Sequence, residues 1–151
     1  MEYGQRLTKD DPEEEVNQNM YRSLVGSLMY LTNTRPDIMF AVSKVSHFME
    51  RPRRSHWEAG KRTLRYIKGT ISHGIIYSKG SKGKLVGYSN SDYAGNIDDS
   101  KSTSRYIFNL GSGAIAWQSK KQKVVALSST EPEYIALSMA GCQALLVKGY
   151  T

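Results

Sequence analysis

The chain has 151 residues, of which 39% are hydrophobic, so it has enough apolar material for one compact domain or two small units and is not a disordered polymer. Its formal net charge of +7 indicates polyanions, nucleic acid first, as partners, although an excess of Lys and Arg also serves solubility. The single cysteine, Cys142, excludes an internal disulfide and a cysteine-rich zinc site. No signal core opens the chain and no apolar run reaches the ~20 residues of a membrane span, so we expect an intracellular protein, cytoplasmic or nuclear.

The first half of the chain has helical periodicity after an acidic lead-in at residues 1–16, which we interpret as a solvated linker. Apolar residues then recur at three- and four-residue steps, with breaks at Pro36 and Pro52 that divide the pattern into three helices. We expect the third helix to have Ser55 as its N-cap and to end at Gly69. The predicted inward residues are Tyr21, Leu24, Val25, Leu28 and Leu31, then Ile38, Val42, Val45, Phe48 and Met49, then Trp57, Leu64 and Ile67.

The periodicity changes to that of strands after a boundary near residues 70–83. A tight hairpin turn is predicted at Gly111–Gly113, a polar loop at 93–102 and a last helix from Thr130. The layout predicts an α+β or α/β fold, with a helical unit at 17–70 and a sheet unit at 71–151 whose later elements are missing. The predicted strands lie at residues 74–77, 85–91, 106–110, 114–118 and 123–127.

Three carboxylates stand where metal-dependent phosphodiester chemistry is commonly built. Asp92 follows a predicted strand, and Glu131 and Glu133 open the last helix. Mg²⁺ prefers hard oxygen ligands, so a carboxylate at a strand end facing one on a helix suits this ion. Thr130 and Glu133 also have the spacing of a capping box, and spacing alone favours this structural interpretation over catalysis.

Basic residues form three clusters that are candidates for phosphate contacts. Aromatic residues lie among them and could stack on bases; the alternative, a solvated face with its aromatics turned to the core, stays open. The three histidines, His47, His56 and His73, lack metal-binding spacing, and we expect them at the surface or at an interface. The basic clusters are Arg51, Arg53 and Arg54, then Lys61, Arg62, Arg65 and Lys68, then Lys120, Lys121 and Lys123.

Two long strings resemble the polyproteins of plant copia-type retrotransposons. Residues 21–70, which include YLTNTRPDI and HWEAGKRTLRYIKGT, resemble the thumb or connection region that follows the reverse transcriptase palm. Residues 87–137, which include GYSNSDYAG and ALSSTEPEYIAL, resemble the start of the ribonuclease H domain. The resemblance implies a helical segment that grips a template–primer duplex, followed by a truncated ribonuclease H-like mixed sheet with one helix.

A ribonuclease H domain hydrolyses the RNA strand of an RNA–DNA hybrid with four carboxylates and two Mg²⁺ ions. By the resemblance, the first Asp of this set falls on Asn90 and the helix Glu falls on Glu133. The other two would follow Thr151. Asp92 is a weak substitute for the lost Asp, because it lies two residues along the strand on the same face. Arg105 stands where the family usually has a small residue, and Pro132 where it commonly has Ala.

The resemblance therefore implies a degenerate fragment without catalysis, in which Asn90 and Glu133 form an impaired site that does not bind Mg²⁺ productively. Weak binding of an RNA–DNA hybrid or another nucleic acid is expected from Arg53, Arg54, Lys61, Arg62, Arg65, Lys68, Lys120 and Lys121. One alternative is an active ribonuclease H that uses Asp92 and Glu133 with a partner chain. Another is a nucleic-acid-binding module recruited by the host. The uncovered face of the last helix also predicts aggregation.

Overall fold

The computed structural model describes residues 6–79 and 83–149, and these divide into two compact units at Gly74/Ile75, within the predicted boundary region. The described residues contain four α-helices, a short 3-10 helix and a three-stranded sheet, so the predicted mixture of helix and sheet is confirmed as α+β. Parts of the predicted lead-in, of the turn before residue 83 and of the chain end lie outside the described residues.

The first unit contains helices α1 (Gln18–Leu31), α2 (Met39–Ser46) and α3 (Arg54–Gly69), and the 3-10 helix Pro36–Ile38 precedes α2. Asn17 caps α1, because its side chain accepts a hydrogen bond from the N–H of Met20 at 3.0 Å. The apolar stripe of α1 packs on α2, and the buried Tyr21 hydroxyl donates to the carbonyl of Val45 at 2.7 Å. Its two core clusters contain Tyr21, Val25, Val45, Phe48 and Ala59, and Leu28, Ile38 and Val42.

The start of α3 differs from the prediction. Arg53 is the N-cap and Ser55 lies inside the helix, where its hydroxyl donates to the carboxylate of Asp11 at 2.5 Å. The predicted inward residue Leu64 is exposed, and the buried face consists of His56, Ala59, Gly60 and Thr63. The prediction for Leu64 was wrong because it assumed that the large apolar residues of α3 face the core. Small residues face inward on α3 because helix α1 lies close, and a Cβ on Gly60 would be 2.9 Å from the Leu24 side chain.

The second unit contains strands β1 (Leu85–Ser91), β2 (Thr103–Leu110) and β3 (Gly113–Lys121), followed by helix α4 (Thr130–Gly149). The order is β1-β2-β3 and both pairings are antiparallel, so the expected mixed sheet is wrong for the described residues. A loop and a tight hairpin join consecutive strands, and such short connections permit only antiparallel pairing. Helix α4 packs on β1 and β2.

Two predicted strands are not formed. Residues 74–77 have no ladder, and this segment is instead held to the β2–β3 hairpin by side chains. The Tyr77 hydroxyl donates to the carbonyl of Ala114 at 2.5 Å, and its ring lies over Gly113, where a Cβ would be 2.7 Å away. Residues 123–127 are a loop that leads into α4. In the segment at 74–77, side-chain contacts with the hairpin therefore take the place of strand pairing.

Candidate nucleic-acid interface and metal position

Helix α3 carries basic residues on the side opposite to its buried face. Arg54, Lys61, Arg65 and Lys68 follow each other at seven, four and three residues, which places them in one stripe. Arg54, Arg65 and Lys68 are exposed, whereas Lys61 is half-buried and pairs with Glu58 at 3.4 Å. The predicted residue Arg62 is half-buried at the edge of this stripe. The structure thus brings together four of the eight basic residues proposed from sequence.

The start of α3 is fixed by a buried histidine. His56 accepts a hydrogen bond from the N–H of Arg53 at its Nδ1, at 3.0 Å, and its Nε2 donates to the carbonyl of Thr8 at 2.9 Å. The ring stacks on Phe48 with 3.8 Å between ring centroids. His56 has no exposed surface, so the expectation of a surface or interfacial histidine is wrong for this residue. The spacing Arg53-x-x-His56 matches that of a capping box, and it could have predicted from sequence that His56 binds the backbone at the start of α3.

The acidic lead-in neutralises part of the first basic cluster. Arg53 is only 18% exposed, and it pairs with Glu15 at 3.3 Å and donates to the carbonyl of Glu13. Arg51 pairs with the same carboxylate at 2.7 Å, and hydrogen bonding to Arg51 is the main cause of a lowered pKa for Glu15. Residues 8–16 therefore contact α3 and the segment before it, and they are not the freely solvated linker expected from composition.

The third basic cluster is split between two roles. Lys120 is exposed near the end of β3 and is available for a polyanion. Lys121 instead contacts Asp99 at 2.6 Å and so holds the loop between β1 and β2 against β3. The nucleic-acid-binding role predicted for Lys120 and Lys121 stays a prediction.

Asn90 and Glu133, the two positions that the resemblance assigns to the first carboxylates of ribonuclease H, lie at the same end of the second unit. Asn90 is exposed on β1, and Glu133 is exposed in the first turn of α4. Ser91 follows Asn90 and Pro132 precedes Glu133, and both bind the buried side chain of Gln122. Its Nε2 donates to Ser91 Oγ at 3.3 Å and to the Pro132 carbonyl at 3.0 Å. Sequence reasoning missed Gln122, since its partners are 10 to 31 residues away in the chain.

An arginine lies directly opposite Asn90. In the β1–β2 register, Asn90 is the partner of Arg105, and directly opposed residues project from the same face of a sheet. The Cβ atoms of such a pair are about 5 Å apart. At this place in the sheet, the chain therefore has a neutral amide directly opposite an arginine, an arrangement that does not favour a divalent cation.

The Asp92 carboxylate contacts residues at both ends of the loop between β1 and β2. One oxygen of its carboxylate accepts a hydrogen bond from the N–H of Thr103, and the other lies against Gly95, where any side chain would clash with it. The loop itself contains left-handed residues at Ala94, with φ of 48°, and Ser100, with φ of 53°. The carboxylate of Asp92 thus has a structural partner within its own loop.

Glu131, and not Glu133, caps the last helix. The Ser128 hydroxyl accepts from the N–H of Glu131 at 3.3 Å, and the Glu131 carboxylate accepts from the N–H of Leu127 at 2.7 Å. These two hydrogen bonds join residues 127 and 128 to the first turn of α4, and they involve Ser128 and Glu131 instead of the predicted pair Thr130 and Glu133. Glu133 makes no hydrogen bond or ion pair with the residues that the structure describes.

The donor set does not fit a divalent metal. Among residues 6–79 and 83–149, no three His, Cys, Asp or Glu side chains are grouped so that they could hold an ion. Mg²⁺ in a nuclease needs several anionic oxygen ligands, and Asn90 supplies a neutral one beside Arg105.

Comparison with known proteins identifies the family. The chain is 48% identical over 126 residues to "Secreted RxLR effector protein 161" of Plasmopara viticola, which covers 83% of this chain and 89% of that protein. It is 50% identical over 131 residues to "Retrovirus-related Pol polyprotein from transposon TNT 1-94" of Nicotiana tabacum, covering 86% of this chain and 10% of the polyprotein. It is 53% identical over 114 residues to the corresponding polyprotein from transposon RE2 of Arabidopsis thaliana, covering 76% of this chain and 8% of the polyprotein.

The chain therefore belongs to the retrovirus-related Pol polyproteins of copia-type transposons and corresponds to a short segment of them. It spans about a tenth of the length of the plant polyproteins it matches. No protein-family model and no solved structure matches the chain. Within the described residues, no helix combines the length and apolar character that crossing a membrane requires.

Proposed function

We propose that this chain is a non-catalytic, nucleic-acid-binding segment related to the connection and ribonuclease H regions of a copia-type Pol polyprotein. The observation that carries the proposal is the basic stripe of α3, which lies opposite a face fixed by the buried His56. A cationic surface on a rigid helix loses less conformational freedom on binding than the same charges on a loop.

The dimensions of the stripe suit a phosphate backbone. Lys68 lies fourteen positions after Arg54, which corresponds to about 21 Å along the helix. This length matches roughly six base steps of one strand of a duplex, at about 3.4 Å each. Glu58 is the one acidic residue of α3, and it is paired with Lys61. Arg54, Arg65 and Lys68 are therefore the proposed phosphate contacts.

The proposed relation to ribonuclease H is supported by the element order and by the chain positions of two residues. Three antiparallel strands precede a helix, Asn90 lies on the first strand and Glu133 lies in the first turn of the helix. The proposed lack of catalysis is supported by the neutral Asn90, by Arg105 opposite it and by the engagement of Asp92 with Thr103. A hybrid duplex would be bound and not cut.

The test is the salt dependence of binding to a short RNA–DNA hybrid, measured by fluorescence anisotropy. With three phosphate contacts, the logarithm of the association constant falls against the logarithm of salt concentration with a slope of about −2.7. Arg65→Gln is expected to make this slope shallower by about 0.9 and to weaken binding equally for hybrids of different sequence.

Arg6→Gln is the matched control, because Arg6 is an exposed arginine of the same unit that lies outside the stripe. It removes the same charge and is expected to leave the slope unchanged. Equal effects of the two substitutions would refute a specific role of α3, and so would an absence of binding at ~50 mM salt.

A further inference from the structure

An acidic strap, residues 8–16, lies along the start of helix α3. Five of its nine residues are Asp or Glu and one is Lys, so the strap is strongly anionic. Backbone hydrogen bonds hold it in place, because the N–H of Arg54 donates to the carbonyl of Glu14 and the N–H of Val16 donates to the carbonyl of Pro52, both at 3.0 Å. The strap therefore places fixed negative charge beside Arg54, the first residue of the basic stripe.

The carboxylate of Glu15 contacts two arginines at once. Its Oε1 accepts a hydrogen bond from Nε of Arg51 at 2.7 Å and lies 3.3 Å from Nη2 of Arg53. A guanidinium group recognises carboxylates and phosphates through the same charged hydrogen bonds. Glu15 therefore occupies the position in which a phosphate oxygen would contact these two arginines.

The contact is weak by itself but is favoured by its place in the chain. The side chains of Arg51 and Glu15 are 70% and 54% exposed, and exposed ion pairs add little to stability. The backbone of the strap, however, keeps the carboxylate beside the arginines, and a tethered group has a high effective concentration at its partner. Glu15 can therefore compete with a phosphate that has to arrive from solution.

We propose that the acidic strap is an autoinhibitory contact of the nucleic-acid-binding surface, in which Glu15 keeps Arg51 and Arg53 from contacting phosphates. This inference rests on the proposed function of α3, because it concerns the regulation of that same surface. With the strap in place, only the three phosphate contacts of the basic stripe are available. Without the charge of Glu15, the two arginines extend the surface beyond the N-terminal end of α3, which gives five contacts.

The test compares Glu15→Gln with the natural chain in the same fluorescence anisotropy titration of a short RNA–DNA hybrid. Gln has nearly the shape of Glu and keeps the backbone hydrogen bonds of the strap, so the substitution removes only the charge. The slope of the logarithm of the association constant against the logarithm of salt concentration is expected to steepen from about −2.7 to about −4.5. Binding at ~50 mM salt is expected to tighten about tenfold.

Glu14→Gln is the matched control. Glu14 is the chain neighbour of Glu15 and is exposed, but adjacent residues of an extended segment project to opposite sides. The control makes the same change in net charge within the same strap, and it is expected to leave the slope unchanged. Equal effects of the two substitutions would overturn the inference, because net charge would then explain both.

A double-mutant cycle with Arg51→Gln tests the pairing itself. In the natural chain, Arg51→Gln is expected to change the slope by less than about 0.3, because Glu15 already neutralises this arginine. In the Glu15→Gln background, the same substitution is expected to make the slope shallower by about 0.9. An equal effect in both backgrounds would show that Arg51 contacts phosphate despite Glu15, and it would overturn the inference.

The results also separate this inference from the proposed function. If the natural chain binds the hybrid and Glu15→Gln binds it with the same slope and affinity, the strap does not inhibit, although the proposed function stands. If neither protein binds at ~50 mM salt, the inference and the proposed function both fail. Circular dichroism melts before each titration check that the variants are folded.

Discussion

At the scale of single residues, the polar groups of the first unit mainly form hydrogen bonds that connect separate chain segments. The His56 ring joins three segments at once, through Arg53, Thr8 and Phe48. Its two hydrogen bonds require the tautomer with the proton on Nε2, because Nδ1 accepts. A neutral, fully paired and stacked ring can be buried without a large penalty.

Replacing His56 by Ala is expected to destabilise the first unit by about 3 kcal/mol. The substitution leaves a cavity beside Phe48 and leaves the N–H of Arg53 and the carbonyl of Thr8 without partners. Thermal or urea unfolding followed by circular dichroism measures the loss. His73→Ala is the control, since His73 is exposed, and it is expected to change stability by less than about 0.5 kcal/mol. Similar losses in the two variants would contradict the role assigned to His56.

A second connection between segments, the ion pair of Arg35 and Asp37, depends on pH. Arg35 donates two hydrogen bonds to Asp37, at 2.9 and 2.7 Å, and two more to Thr70 at the end of α3. The hydrogen bonds from Arg35 are the largest cause of the lowered pKa of Asp37, and the Tyr66 hydroxyl adds to it at 2.9 Å. Because the folded pKa lies below the unfolded value of about 3.9, the ion pair contributes stability above that pH.

This contribution is expected to be lost as the pH falls from ~4 through the lowered pKa of Asp37, when the carboxylate becomes protonated. Melting temperatures measured from neutral pH to ~2 should therefore converge for the natural chain and Asp37→Asn at the acidic end. They should differ by a constant amount above ~5. If the difference in melting temperature between the two proteins stayed the same at the lowest pH, the charge of Asp37 would not be the cause of the stabilisation.

At the scale of elements, glycines decide how closely neighbouring segments approach. Gly87 on β1 lies under the ring of its cross-strand partner Phe108, and any Cβ there would clash with that ring. Gly26 lies within α1, and a Cβ there would meet nothing within 4 Å. The same residue type thus has a packing role in one element and none in the other.

Gly87→Ala is expected to destabilise the second unit by about 1–3 kcal/mol, because the Phe108 ring must move out of its buried position. Gly26→Ala is expected to stabilise α1 by up to about 1 kcal/mol, since Ala has the higher helix propensity and no contact opposes it. Amide hydrogen exchange of β1 and α1 measures the two effects separately. Opposite signs for the paired substitutions are the expected result, and equal signs would contradict the packing argument.

At the scale of the whole molecule, the two units contribute different features. The first supplies the basic stripe of α3, and the second supplies a three-stranded antiparallel sheet with helix α4 packed on it. The family relation accounts for the presence of these features in one chain, since the polyproteins that match are collinear with it over most of its length.

Restoring one carboxylate is not expected to restore cleavage. In Asn90→Asp, the new carboxylate would lie beside Arg105 and would pair with it before it could serve a divalent ion. We expect no cutting of a labelled RNA–DNA hybrid by the natural chain or by Asn90→Asp, with either Mg²⁺ or Mn²⁺. Cutting by the natural chain that disappears in Glu133→Ala would instead support the alternative of an active ribonuclease H using Asp92 and Glu133.

Local patterns predicted the elements whose stability is local. The three-and-four spacing identified α1 with its buried Tyr21, Val25 and Leu28, alternation and flanking turns identified β1 with its bounds at Leu85 and Ser91, and the wording of two long strings identified the family. Such signals survive in sequence because a helix turn or a strand ladder depends on near neighbours and on one buried face.

Only the tertiary structure decided which polar residues are buried and which charges are free. Nothing in the sequence joins Thr8 to His56, Asp99 to Lys121 or Gln122 to Pro132, because these contacts bridge 10 to 48 positions and depend on where each chain segment returns. The same holds for the segment at 74–77, whose apolar residues suit a strand but whose Tyr77 binds a hairpin instead. A sequence pattern shows which local structure each residue favours, but the packing of the whole unit decides which residue it contacts. A polar group can be buried only where that packing supplies its hydrogen-bond partners.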